Sequence, residues 1–175
     1  MSSLLKQNYF ELFGFSPAYE LDTNILAARY RELQQVVHPD RFAAASEQDR
    51  RLSLQSAAHI NEAFQTLKQP LSRARYLLEL RGVSADQAVA PDGEFLAEQM
   101  SLREQLDELL EQTEPLIALM HMRDDVESQL RQLQQEFADS LAADNNEQAA
   151  QIFNKMQFLV RLSEELDNRE ERLSD

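Results

Sequence analysis

Helix breakers are scarce in this sequence and fall only where one helical pattern gives way to the next. The glycines are Gly14, Gly82 and Gly93, and the prolines are Pro17, Pro39, Pro70, Pro91 and Pro115. Inside a helix a glycine costs about 1 kcal/mol and a proline about 3 kcal/mol relative to alanine. A chain of 175 residues that confines both types to a few seams is therefore expected to be all-α. With 43% apolar residues it can bury a core in each of one or two small domains.

The patterns between the seams predict the individual helices. A short one is expected within "NYFELFG". A second should run from the N-cap residue Asp22 to Val37, with Leu26, Tyr30, Leu33 and Val37 forming one stripe. A third, from about Ser46 to Lys68, aligns Ala57, Ile60, Ala63, Phe64 and Leu67. Two such stripes joined by a short loop predict an antiparallel helical hairpin. "LSRARYLLEL", residues 71–80, predicts a further short helix. "GVSADQAVAPDG" then has a linker's composition.

Three longer seams follow. Phe95, Leu102, Leu106 and Leu109 make the first. Leu119, Val126, Leu130, Leu133, Phe137 and Leu141 make the second. Ile152, Met156, Leu159, Leu162, Leu166 and Leu173 make the third. Pro115 suits a first helical turn, and "ADNN" suits a reversal. The expected organisation is a first domain over 1–75, a connecting helix and linker over 76–93, and a three-helix bundle over 94–175.

Charge divides the chain in the same place. Residues 1–75 hold nine Lys/Arg and eight Asp/Glu, a balance of +1. The remainder carries −15 of the total of −14. Parts with such different electrostatics are expected to meet different partners, although acidity also serves solubility. An acidic surface repels phosphates and argues against nucleic acid. The sequence has no cysteine, which excludes disulfides and thiolate metal sites in this chain. No run approaches the ~18 apolar residues of a membrane span. "MSSLLKQNYF" has no basic segment followed by an apolar run. A cytoplasmic protein is expected.

The loop "QQVVHPDRF" stops the second helix. Proline has no N–H to give, and it pushes the residue before it out of the helical region. The helix should end at Val37, with His38 and Asp40 presented on a stiff turn. Three residues alone fit any helix–helix turn. In context, "YFELFG", an arginine-bearing helix, "HPDRF" and "INEAFQTLKQPLSRARY" together resemble the J domain of DnaJ-type co-chaperones across residues 8–76. The resemblance implies docking on an ATPase chaperone of the DnaK/HscA class and stimulation of its ATP hydrolysis. His38, Pro39 and Asp40 would carry that role, and Arg29, Arg31 and Arg41 would supply positive surface. Val37 and Arg41 depart from the family's common aromatic and lysine without removing the turn or the charge.

No enzyme is expected. His38 and Asp40 have the chemistry of a base and its orienter, but no third group stands at nucleophile spacing. There is no glycine-rich phosphate loop and no metal cluster, and no cofactor is expected. His59 and His121 stand alone within helical patterns.

The acidic part lacks the Gly/Phe-rich segment, zinc cysteines and β-rich domains that follow most J domains. A J domain followed by a short acidic helical bundle is similar to the HscB family, with the likeness carried by "RARYLLELRG" and "FLAEQMSLREQLDEL". Leu102, Leu106 and Leu109 lie within about 40° of Phe95 around the first bundle helix. Leu96 and Met100 fall on the far side, beside Ala97, Glu104, Asp107 and Glu108. Such a second apolar face has two readings: packing on the linker or the first domain, or a docking surface with a polar rim. The resemblance implies the second, with the iron–sulfur scaffold protein IscU as partner. It places the contact on Leu96, Ala97, Met100, Ser101, Glu104 and Glu108, with Phe158 of the last helix as an addition. Ala97 and Ser101 depart from the larger apolar residue and the acid common there. The alternatives are a general J-type co-chaperone for other clients and a plain helical oligomerisation module.

Overall fold

In the computed structural model, described for residues 4–38, 45–84, 93–109 and 114–174, every regular element is helical. A single 3-10 turn, Leu4–Lys6, precedes α1 (Tyr9–Leu12), α2 (Thr23–Val37), α3 (Glu47–Lys68) and α4 (Pro70–Leu80). α5 (Gly93–Leu109), α6 (Pro115–Ala142) and α7 (Asn146–Ser174) follow. The chain divides into two compact units, 1–77 and 78–175. Residues 76 and 77 are uncharged, so balances of +1 and −15 hold for these units as well.

Local chemistry sets the helix starts in the first unit. Asn8 and Glu11 form a reciprocal capping box on α1, at 2.9 and 3.0 Å. The Asp22 carboxylate accepts from the N–H groups of Asn24 and Ile25 at the start of α2. Ser46 does the same for Asp49 at the start of α3. Each satisfies donors that the helix leaves unpaired.

The expected stripes are buried. Leu26, Val37, Ile60, Ala63 and Leu67 are fully enclosed, with Phe10 and Phe13 of the first turn among them. Tyr30 stacks on Phe64 with ring centroids 4.2 Å apart, and its hydroxyl lies 2.8 Å from Asn61 Oδ1. Farther along α2, Val37 meets Ser53. Residue numbers rising on α2 thus pair with falling numbers on α3, an antiparallel hairpin. α4 joins this unit through Tyr76, which stacks on Tyr9 at 4.4 Å and accepts the Tyr9 N–H at 3.0 Å.

The second unit is the three-helix bundle. Its core gathers Phe95 and Leu106 from α5, Leu119, Met122 and Val126 from α6, and Phe158, Leu159, Leu162 and Leu166 from α7. Leu102, Leu109, Leu130 and Leu133 pack partly buried against it. Toward the α6–α7 turn, Phe137, Leu141, Ala149, Ile152, Phe153 and Met156 are also buried. Leu173 is the exception among the expected seam positions, 46% exposed in the last turn of α7. Helix ends fray, and a residue there has no facing turn to cover it.

The α6–α7 reversal is held by Arg81. Its guanidinium donates to the Leu141 carbonyl at 2.9 Å and to side-chain oxygens of Asp144 and Asn146, each at 3.1 Å. Asp144 takes the left-handed conformation, φ 53°, that turns the chain.

Candidate functional site

The first candidate site is the end of α2. His38 is the C-cap residue, with φ −56° and ψ 128°. This extended geometry is what a following proline requires. The Val37 carbonyl just before it would be unpaired at a helix terminus. Instead it accepts a 2.6 Å bond from the buried Ser53 hydroxyl of α3. α3 therefore fixes the point at which the chain leaves α2, and His38 is exposed there. Pro39, Asp40 and Arg41 lie outside the described residues.

The two arginines of α2 have different surroundings. Arg31 is exposed. Arg29 reaches back to the α1–α2 connection, where Nη1 donates to the Phe13 carbonyl. Its guanidinium also lies over the Phe15 ring, 4.5 Å from the centroid. Gly14 lies between, with φ +68°, and a Cβ there would meet Arg29 Nη1 at 3.1 Å. Arg29 is thus engaged within the fold, clamping a turn that needs glycine for both its conformation and its close approach.

The second candidate site is the outer face of α5. Leu96 is 46% and Met100 64% exposed, and Ala97, Ser101, Glu104 and Glu108 beside them are also exposed. The opposite side of the same helix is fully used, since Phe95 and Leu106 enter the core and Leu102 and Leu109 pack on it. Asp107 is paired with Arg169 of α7 at 3.1 Å. Phe158 is 8% exposed. It meets Phe95 edge-on at 5.9 Å, and the Arg103 guanidinium lies 5.9 Å above its ring. It supports the face from beneath and leaves little of its own surface for a partner.

Sequence reasoning overlooked Ser53, Arg73 and Arg81. Each is a polar side chain that satisfies a backbone carbonyl near a helix end, and periodicity carries no sign of that. Of the isolated histidines, His59 lies edge-on to Tyr9 at 5.5 Å, and His121 is exposed on α6. Among the described residues no group of three or more His, Asp or Glu is placed to hold a metal. No described helix is long and apolar enough to cross a membrane.

Known proteins match nearly the whole chain. A co-chaperone protein HscB homolog of Pseudoalteromonas atlantica is 43% identical over 173 residues, covering 96% of this chain and 99% of the relative. The chain belongs to the HscB co-chaperone family. A family model described as the HSCB C-terminal oligomerisation domain matches residues 91–167, which contain the outer face of α5. The chaperone HscB from Vibrio cholerae has the same fold, with a TM-score of 0.87 and 41% identity over 95% of this chain and 99% of that one. The human co-chaperone HscB aligns with a TM-score of 0.82 at 28% identity, covering 93% of this chain and 82% of its own. The fold of the family is a J domain followed by a helical domain, and units 1–77 and 78–175 correspond to that plan.

Proposed function

We propose that this HscB-family chain binds an IscU-type iron–sulfur scaffold through the acidic bundle and presents it to an HscA-type chaperone, whose ATP hydrolysis the J domain stimulates. The observation that carries this reading is the division of labour around α5. One side holds the bundle together, while Leu96 and Met100 stand in solvent within a rim that includes Glu104 and Glu108. An apolar centre with a polar surround is how specific protein contacts are built. Ala97 and Ser101 complete the contact, and Phe158 acts mainly as its support.

On the other unit, His38, Pro39 and Asp40 engage the chaperone, with Arg31 and Arg41 as the positive surface. Proline pre-sets the turn and so lowers the ordering cost of binding. An aspartate on such a turn suits a charge-assisted contact with an arginine of the partner. Arg29 contributes by holding the turn before α2 rather than by facing the partner. The chain acts as an adaptor with no chemistry of its own, in the bacterial cytoplasm.

One experiment with two variants tests both ends. Leu96→Ala combined with Met100→Ala lowers scaffold affinity by about 2 kcal/mol or more, as central anchors do. Calorimetry reads this directly, and unchanged affinity moves the scaffold site elsewhere. His38→Gln leaves the circular-dichroism melt intact and abolishes stimulation of the chaperone's ATPase. A folded His38→Gln variant with normal stimulation refutes the assignment of the loop.

A further inference from the structure

α5 buries one apolar stripe in the core, and on the side of that stripe toward α6 the bundle is open. One cavity of about 280 Å³ has Phe95, Leu102, Leu133 and Leu159 among its lining residues. A second, of about 500 Å³, includes Leu109, Met122 and Val126. Leu102 and Gln129 line both, so the two join into one groove between α5 and α6. Leu96 and Met100 line neither cavity, so the groove lies beside the outer face of α5 and shares with it only Glu108 at the edge and Phe158 beneath.

The groove's chemistry is specific. Its floor is the partly buried edge of the core. Its rims carry Glu98 and Glu108 from α5 and Asp125 and Glu136 from α6, all exposed. Lys155, lying over the Phe95 ring at 5.6 Å, and His121 are the basic side chains among the lining residues. The Gln132 amide donates to Glu136 at 2.8 Å, so an amide and a carboxylate stand together on the α6 side of the groove. An apolar floor between carboxylate rims is complementary to a segment that is apolar along one stripe and basic on its flanks.

The walls decide the backbone of the occupant. Both are helices whose peptide groups are already paired internally, so they offer no sheet edge to an extended chain. A segment lying here must satisfy its own N–H and C=O groups, which a helix does. From Phe95 to Leu109 the groove runs for about 21 Å, the length of about 14 helical residues. Its volume is too small for a helix about 10 Å across but sufficient for one stripe of side chains. We propose that the α5–α6 groove is a docking site for a basic amphipathic helix of a partner protein, laid against the bundle as a fourth helix. The proposal does not depend on the scaffold reading of the outer face of α5.

The test uses the full chain and a defined probe. The probe is a synthetic helix of about 16 residues with leucine at i, i+3, i+4 and i+7 spacing and lysine elsewhere. A second peptide replaces lysine by glutamate. The lysine peptide should bind in calorimetry and shift backbone amide resonances of α5 and α6 along the groove, and the glutamate peptide should not bind. Glu98→Lys with Glu136→Lys should weaken the lysine peptide about tenfold or more. The exposed rim variant Gln129→Arg repeats that test if the double reversal disturbs the melt. Leu96→Ala with Met100→Ala should leave peptide binding unchanged, so failure here and failure of the scaffold site are separable. Equal binding of both peptides overturns the proposal. So do indifference to the rim charges, shifts confined to the outer face of α5, and a groove occupied by a second copy of the chain on dilution analysis.

Discussion

Tyr19 and Arg73 form a buried polar pair in the first unit. Tyr19 is 8% exposed, and the Arg73 guanidinium carbon lies 5.2 Å from its ring centroid. Arg73 in turn donates to the Leu67 carbonyl at 2.8 Å, near the end of α3. Burial pushes the Tyr19 hydroxyl up to about 12, and the opposing pull of the Arg73 charge is the smaller effect. A tyrosine in the unfolded chain ionises near pH 10. Above that pH the unfolded state loses this proton first. The stabilisation from a neutral, buried Tyr19 is therefore complete below about pH 10 and disappears as the pH rises toward about 12. In an ultraviolet tyrosinate titration of the folded protein, Tyr19 should contribute a step well above pH 10, toward about 12. Tyr19→Phe should remove that step and flatten the loss of stability above pH 10. Identical titration curves for the two proteins contradict this account. Arg29 and Arg31 differ in the same way. Two positions apart in the sequence, both counted as basic surface, yet only Arg31 is exposed while Arg29 reaches a backbone carbonyl and an aromatic ring.

Helices meet their ends through such side chains. Arg81 follows α4 in sequence but acts on the turn between α6 and α7, where it reaches Leu141, Asp144 and Asn146. Its ion pair with Asp144 has 31% and 91% of the two side chains exposed, so the Coulomb contribution is small. The bond to the Leu141 carbonyl weighs more, because it satisfies an acceptor near the helix end. Arg81→Ala should lower the stability of the protein by about 1 kcal/mol and raise amide exchange at the α6–α7 turn first. Unchanged exchange there would remove Arg81 from the role of clamp. The helices themselves were legible in the sequence. Asp22 and Ser46 marked the starts of α2 and α3, Pro115 marked that of α6, and the apolar stripes identified the buried faces. Periodicity works because one buried stripe is a requirement of every amphipathic helix. The outer face of α5 was legible for the same reason, as apolar residues where the stripe forbids them. The clamps at Ser53, Arg73 and Arg81 were not. A single polar residue reaching a carbonyl distant in sequence leaves no repeating signal. The α5–α6 groove was hidden as well, since a gap depends on how closely two stripes approach and not on which residues form them.

At the scale of the whole molecule, the two units differ by sixteen charges, +1 against −15, on one continuous chain. For the adaptor proposed above, such a division would let the two units favour partners of different charge. The covalent connection adds a second effect that needs no direct contact between the units. On the proposed function, a bundle that holds a scaffold would keep the J domain near that scaffold at an effective concentration of order millimolar for a short connection. Free units at micromolar concentration lack this advantage by a factor of about a thousand. Producing residues 1–77 and 78–175 as two separate chains makes the difference measurable. Separation should leave the individual contacts unaltered, with the bundle still binding scaffold and the J unit still stimulating the chaperone's basal ATPase. It should lower scaffold-dependent stimulation at micromolar protein by at least tenfold, and raising the concentration of the J unit should restore it. If the unlinked mixture drives the scaffold-dependent cycle as well as the intact chain, connection is not what this protein contributes, and the two units act independently.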